Sequence, residues 1–378
     1  MEIIQNMKPF IQQAWKESEF QKLTDIQERS IPLILERKDL IGESPTGTGK
    51  TLAYLLPILQ SIDESKKNAQ AVILAPSREL VMQIHQEIQK WTKGSGIQSA
   101  AFIGGANVKK QIEKLKKKPH IIVGSTGRLL ELIKLKKLKM HEVKTIVVDE
   151  FDLMIGNEHI KEVETIISTT LRDERQLLFF SATLSEKTEE VSKQWMKEYD
   201  LIQVNETVQT FENVEHTYIY CEQREKVETL RRLTNIEGMK ALVFINSLKK
   251  LEEVEEKLKY HDASVEVLAG ESKKMERKHA LEKFRAGKVS FLLTTDVAAR
   301  GLDIKGVTHV IHFDFPTDSK QYVHRSGRTG RMGASGIVVS LTTKREESFL
   351  KKMSEELGVT IHERIVHGGQ IKAATVGK

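Results

Sequence analysis

Cysteine is nearly absent: Cys221 is the only one in 378 residues. No intramolecular disulfide can form, and a structural zinc site is not expected. A single thiol suits a reducing compartment, although secreted chains of this size can also lack disulfides. No run of 18 or more apolar residues occurs, so no membrane span is expected. The first twenty residues hold no apolar stretch that could serve as a signal peptide. The expectation is a cytoplasmic protein. The histidines show no metal-binding spacing; His312, His324 and His367 lie far apart. No short repeat of the solenoid kind is visible.

What the chain does contain is a globular composition. Apolar residues make up 39% and charged residues 30%. At roughly 100–200 residues per domain, the length suggests two or three domains. The net charge of +6 permits a polyanionic partner without establishing one.

Short apolar runs alternate with helical patterns. Ala71-Val72-Ile73-Leu74, Ile121-Ile122-Val123, Ile146-Val147-Val148 and Leu177-Leu178-Phe179-Phe180 look like strands buried on both faces. The rhythm restarts with Ala241-Leu242-Val243-Phe244-Ile245, Phe291-Leu292-Leu293 and Val310-Ile311-His312-Phe313. Leu248, Leu251, Val254 and Leu258 recur at helical spacing. The βαβα alternation predicts an α/β fold with parallel sheets covered by helices. The polar stretch at 204–215 lacks helical periodicity and marks a boundary between halves, or else a surface loop. Residues 367–378 contain Gly368, Gly369 and Gly377 and are expected to fray. The division is 1–206, 207–365 and a short flexible tail, 366–378.

The most informative segment is Ser44-Pro45-Thr46-Gly47-Thr48-Gly49-Lys50-Thr51. It follows an apolar strand end and precedes a helix with Leu52, Tyr54, Leu55 and Leu56. A glycine-rich turn there lets backbone N–H groups surround phosphate oxygens at a helix N-terminus. Lys50 would reach the β- and γ-phosphates, and Thr51 would offer its hydroxyl to Mg²⁺. The pattern G-x-x-x-x-G-K-[ST] is met except at its first position, where Ser44 replaces glycine. Asp149-Glu150 follows the apolar run at 146–148. Such a pair can hold Mg²⁺ and orient a water; alternatively, it simply opens the next helix.

With these residues in place, the chain resembles the DEAD-box RNA helicases over nearly its whole length. Phe20-x-x-Leu-Thr-Asp-Ile-Gln27 looks like the Q motif, with Phe10 at its upstream aromatic. Pro76-Ser77-Arg78-Glu79-Leu80, Gly104-Gly105 and Ser125-Thr126-Gly127-Arg128 resemble the RNA-contacting motifs of the first domain. Asp149-Glu150-Phe151-Asp152 stands at the name-giving tetrapeptide, and Ser181-Ala182-Thr183 at the coupling motif. The segments 295–303 and His324-Arg325-Ser326-Gly327-Arg328-Thr329-Gly330-Arg331 match the last two motifs.

The resemblance implies two tandem RecA-like domains using ATP and Mg²⁺. Ser44, Thr46, Gly47, Thr48, Gly49, Lys50 and Thr51 would form the ATP site. Phe20 would stack on adenine, Gln27 would read its edge, and Asp303 would reach the ribose. Asp149 would hold Mg²⁺ and Glu150 the attacking water. Asp152 would connect to Ser181 and Thr183. Arg328 and Arg331 would act as arginine fingers, with His324 linking the hydrolysis site to the domain interface. RNA would meet Arg78, Gly104, Gly105, Thr126 and Arg128 on one domain and Thr295 on the other.

There are departures from the family pattern. Phe151 replaces alanine in the tetrapeptide. Leu23 and Asp25 replace prolines of the Q motif, and Ser125-Thr126 stands where Thr-Pro is common. Lys274 stands where glutamine is typical ahead of Arg277. Two lysine-rich stretches, at 109–118 and 134–139, read either as an RNA footprint or, the reading favoured here, as solvated helix faces. Trp15 and Trp91 are expected in packing rather than base stacking.

The expected activity is an RNA-stimulated ATPase that clamps single-stranded RNA and separates short duplexes locally. Ribosomal RNA remodelling, on ribosomal precursor particles, ranks first among roles, with growth in the cold another. A monomer without a membrane partner is expected. A DNA helicase or translocase and a non-catalytic RNA clamp are the alternatives.

Overall fold

The computed structural model describes residues 2–18, 20–45, 47–155, 159–196, 198–204, 213–269, 274–299, 304, 306–330 and 334–374. The chain forms two compact units, 1–205 and 206–378.

Unit 1 begins with helices α1 (Glu2–Gln5), α2 (Pro9–Glu17) and α3 (Asp25–Leu35). Strand β1 (Asp39–Glu43) leads to α4 (Lys50–Ser61), β2 (Ala71–Leu74) to α5 (Arg78–Trp91), and β3 (Ser99–Phe102) to α6 (Val108–Lys116). Then come β4 (Ile121–Gly124), α7 (Thr126–Lys134), β5 (Thr145–Asp149), α8 (Phe151–Met154), α9 (His159–Ser168), β6 (Gln176–Ser181), α10 (Glu186–Trp195) and β7 (Tyr199–Gln203). The sheet order is β3-β4-β2-β5-β6-β1-β7, and every pairing is parallel.

Strands β2, β4, β5 and β6 are buried at every residue. Continuous apolar runs suit them because helices cover both sheet faces. On one face, Ile73, Val123 and Phe180 pack with α2 to α5; on the other, Val72, Ile122 and Phe179 pack with α6 to α10. Side-chain caps at Ser77, Asn107 and Ser185 accept the amides of Leu80, Lys110 and Thr188 and fix where α5, α6 and α10 begin. Because all seven strands are parallel, the segments that follow them gather at one edge of the sheet. That edge is where open α/β sheets bind ligands.

Unit 2 contains β8 (Val214–Tyr220), α11 (Lys226–Thr234), β9 (Ala241–Phe244), α12 (Leu248–Tyr260), β10 (Val265–Leu268), α13 (Lys274–Arg285) and β11 (Phe291–Thr294). It continues with α14 (Asp296–Ala299), β12 (His309–His312), α15 (Ser319–Ser326), β13 (Gly336–Thr342), α16 (Glu347–Leu357), β14 (Ile361–His367) and β15 (Gln370–Ala373). The order is β10-β11-β9-β12-β13-β8-β14-β15, parallel except for the last pair.

The frayed tail expected from residue 366 is corrected here. Strand β14 pairs in parallel with β8 and turns at Gly368 and Gly369, both with positive φ, into antiparallel β15. Val366 is buried, and its carbonyl accepts a hydrogen bond from Arg232 of α11. The glycines supply a turn rather than disorder. Among the described residues no helix is long and apolar enough to cross a membrane.

Candidate functional site

The phosphate-loop segment leaves β1 and re-enters α4 through Gly49, which adopts φ +91°. A side chain there would be strained, and a Cβ would meet the Gln27 amide at 2.3 Å. Gln27 ties the loop down. Its Nε2 donates to the Gly49 carbonyl at 3.0 Å, and its Oε1 accepts the Thr24 amide at 3.0 Å. Across the loop, the Ser44 and Thr48 hydroxyls share a hydrogen bond of 2.7 Å. The buried Lys50 ammonium donates to the carbonyls of Ser44 and Pro45. A buried cation resting on two carbonyls stands at the site a phosphate oxygen could take over.

Asp149 ends β5 beside this loop. It is buried and accepts the Tyr54 hydroxyl at 2.9 Å and the Glu150 amide at 3.0 Å. Burial pushes its carboxyl above the usual range, against the pull of the Lys50 charge and the Tyr54 hydrogen bond. Burial likewise drives the Tyr54 hydroxyl well above its ordinary value. A carboxylate so placed is uncomfortable unless a cation balances it. Glu150 is held at φ 51°, ψ 51°, a left-handed conformation unusual for a non-glycine residue. Such strain concentrates at sites of chemistry.

Asp152, Ser181 and Thr183 meet one another. Thr183 donates to Asp152 at 3.3 Å, and the Ser181 hydroxyl donates to the Thr183 carbonyl at 2.6 Å. The Ser44 amide in turn donates to Ser181 O at 3.0 Å, joining this set to the phosphate loop. Phe151 points the other way. It is buried against Phe179 at 4.3 Å and Trp195 at 6.1 Å between ring centroids.

Phe20 is half-buried and stacks on Trp91 at 6.4 Å and 14° between planes, with Trp15 at 5.7 Å. The two tryptophans are buried, as expected of packing residues, and hold the phenylalanine ring from behind.

The loops after β2, β3 and β4 meet at the same edge. Arg78 is exposed, and its guanidinium lies so close to Gly105 that a Cβ there would be 2.7 Å from it. Arg128 turns inward, donating to the Ala106 carbonyl at 3.1 Å and lying 3.0 Å from the Glu131 carboxylate. Thr126 departs from the expectation that it faces a ligand. It is 3% exposed, and its hydroxyl donates to Glu162 of α9. In the first turn of α7 its side chain is aimed at the neighbouring helix.

In unit 2, Thr295 is half-buried and accepts the Ala298 amide at 3.4 Å. His324 and the buried Arg328 sit on and just after α15. Thr46, Asp303 and Arg331 lie outside the described residues.

Comparison with known proteins places this geometry. A DEAD/DEAH box helicase domain matches residues 24–191 and a helicase conserved C-terminal domain residues 225–333. The probable ATP-dependent RNA helicase YfmL of Bacillus subtilis (strain 168) is 54% identical over 369 residues, 98% of this chain and 98% of that protein. The chain belongs to the DEAD-box ATP-dependent RNA helicases. DEAD-box helicase CshC of Bacillus cereus is similar at 52% identity, over 94% of this chain and 91% of that one. Among solved structures, S. cerevisiae Dbp5 bound to RNA and ADP BeF3 is similar with a TM-score of 0.84 and 28% identity, over 96% of this chain and 94% of that chain. The enzyme class follows: an RNA helicase that hydrolyses ATP.

Within this DEAD-box framework, two residues of interest escaped sequence reasoning. Tyr54 lies four residues after Lys50, hence on the same helix face, a spacing that could have singled it out. Its partner, 95 residues away, could not have been found that way. Arg325, inside the final motif, has its side chain fully buried. It grips both oxygens of Asp296, the Asp314 carbonyl and the Asn246 side chain. It thus braces the start of α14, beside Thr295, against α15.

Proposed function

We propose that this DEAD-box protein clamps single-stranded RNA, separates short RNA duplexes locally and releases the strand after ATP hydrolysis. The observation that carries this is the meeting of Lys50, Tyr54, Asp149 and the strained Glu150 at the end of β5. Lys50, on leaving the Ser44 and Pro45 carbonyls, holds the β- and γ-phosphates. Thr51 and Asp149 hold Mg²⁺, which when bound neutralises charge on the phosphates. The fit is supported by a donor set of hard oxygens and by a buried carboxylate whose charge burial disfavours. Among the described residues no group of three or more His, Cys, Asp or Glu could hold a metal alone. That suits Mg²⁺, which one or two carboxylates share with substrate phosphates.

Glu150 positions the attacking water. Phe20, backed by Trp91, stacks on adenine, and Gln27 reads its edge while remaining in touch with Gly49. Asp303 reaches the ribose. Arg328 and Arg331, from residues 207–365, supply charge to the transition state, worth roughly 10³–10⁵ in rate for an arginine finger. His324 links them to the interface, and Asp152, Ser181 and Thr183 couple nucleotide to RNA. RNA backbone meets Arg78, Gly104, Gly105 and Thr295, with Arg128 shaping the loop at 104–106. Thr126 meets the RNA through its backbone, its hydroxyl being committed to Glu162. The physiological substrate we favour is ribosomal RNA in precursor particles, acted on in the cytoplasm by a monomer.

ATP turnover measured with RNA, with DNA and with neither tests the reading. RNA alone should stimulate it, and Glu150→Gln should keep ATP and RNA binding while losing turnover. Stimulation by DNA equal to that by RNA, or near-normal turnover in Glu150→Gln, overturns it.

A further inference from the structure

The two lysine-rich stretches, 109–118 and 134–139, end at the same edge of unit 1. Helices α6 and α7 lie on one face of the sheet, where Ile112, Leu115, Leu129 and Leu132 join a common core. Each helix runs from the end of one parallel strand back to the start of the next. Their C-termini therefore emerge together, beside the strand starts Ser99, Ile121, Ala71 and Thr145, which stand in register. The loops there are cross-linked. Gln70 donates to the His120 carbonyl at 2.8 Å, Lys144 to Gln70 O at 2.8 Å, and Arg37 to the Thr145 hydroxyl at 3.0 Å.

This edge is opposite the one that carries Lys50, Asp149 and Arg78. Residues 116–120 and 134–139 contribute seven lysines and no carboxylate. All seven are exposed. Only Lys116 has an ion pair among the described residues, with Glu113.

A second observation concerns backbone. Arg37, Lys118 and Lys136 follow the ends of α3, α6 and α7 with φ of 66°, 54° and 55°. Glycine is the usual residue at such a position, because a Cβ is strained there. Attraction of basic residues to helix C-termini accounts for lysines in the last turns. It does not account for Lys137 and Lys139, which lie beyond the helix, or for the choice of a strained side chain over glycine.

We propose that this lysine-lined edge of unit 1 is a second RNA-binding surface, one that takes the phosphate backbone of a duplex flanking the strand held at the motif edge. Lysine is a mobile point charge suited to phosphate. The one aromatic ring in 116–120 and 134–139, that of His120, is buried and offers no face to an unpaired base, so the contact is to backbone and carries no sequence preference. The strands between the two edges are four to six residues long. At about 3.3 Å per residue the edges are roughly 13–20 Å apart, so one short strand at the motif edge leaves this surface open. Such a surface would hold the enzyme on structured RNA while single-stranded segments are bound and released.

The inference rests on RNA being this protein's ligand, and the test separates the two. Binding of the full chain, wild type against a variant with Lys117, Lys118, Lys136 and Lys137 all changed to glutamine, is measured over a salt series. The probes are a single-stranded hexanucleotide and the same strand joined to a duplex of about 16 base pairs, the span of a duplex-reading domain. On the flanked RNA, the dependence of log affinity on log salt should become shallower by about three, at roughly 0.7–0.9 per lost phosphate contact. On the hexanucleotide the slope should change far less.

Equal slopes for the two proteins on the flanked RNA, or an equal loss on both RNAs, overturns the proposal. Polyglutamate that competes as well as duplex RNA reassigns the surface to an acidic protein and also overturns it. If the wild type binds neither RNA, the proposed function itself fails. Lys118→Gly with Lys136→Gly guards against misfolding. This variant should melt at a higher temperature than the wild type, because strain is relieved, yet bind the flanked RNA more weakly. Higher melting with undiminished binding counts against the proposal.

Discussion

Tyr54 donates a 2.9 Å hydrogen bond to Asp149, joining the helix after the phosphate loop to the strand that ends in the acidic pair. Both groups are buried. The hydroxyl favours the charged form of the carboxyl, opposing the upward push of burial. Tyr54→Phe keeps the shape and removes that opposition, so the Asp149 pKa rises further. The acid limb of the turnover profile should therefore move to higher pH. An unmoved acid limb would mean that Asp149 ionisation does not limit turnover.

Phe151 fills space against Phe179 and Trp195. Phe151→Ala leaves a cavity and should destabilise unit 1 by about 3–5 kcal/mol. Turnover of the folded variant, measured well below its melting point, should stay within a few-fold of wild type. Denaturant unfolding followed by Trp195 fluorescence checks the first part. A turnover loss as deep as that of Glu150→Gln would make Phe151 part of the mechanism.

The fully buried Arg325 side chain engages both carboxylate oxygens of the half-buried Asp296. Arg325→Met removes these charge-assisted hydrogen bonds and should cost about 1.5–3 kcal/mol of unit 2 stability. Adding Asp296→Asn should restore part of that loss. A double-mutant cycle with no coupling between the sites would refute the pairing.

His216 is buried, with its ring on Tyr322 at 2.7 Å from the hydroxyl, and burial lowers its pKa to about 4. A depressed folded pKa contributes stability above the unfolded value near 6.5, and that stability is lost as pH falls toward 4. The lost interval corresponds to roughly 3 kcal/mol. Urea unfolding of unit 2 should therefore weaken steeply from pH 6.5 to 4, and His216→Gln should flatten the slope. His312, also held neutral by burial, adds in the same direction.

Some of this protein was decided by sequence alone, because the signals are local. Gly47, Gly49, Lys50 and Thr51 sit within five residues, and the apolar run before Asp149 marks a doubly buried strand without reference to anything distant. Helix periodicity and strand runs likewise announced two parallel sheets. The remainder depended on pairings between distant segments. The hydroxyl of Tyr54 could have met many groups; only the neighbouring placement of β1 and β5 around β6, with α4 across them, gives it Asp149. Thr126 resembled a ligand contact until α9 packed beside α7 and supplied Glu162. The glycines at 368 and 369 read as a fraying end, because a turn and a tail share their composition; β8 offering a free edge to β14 made them a turn. The two lysine stretches looked like separate solvated faces, and parallel strand order brought them to one edge. Hydrophobic period and backbone preference are properties of a few adjacent residues, whereas strand order and register are set by the burial of whole elements against each other.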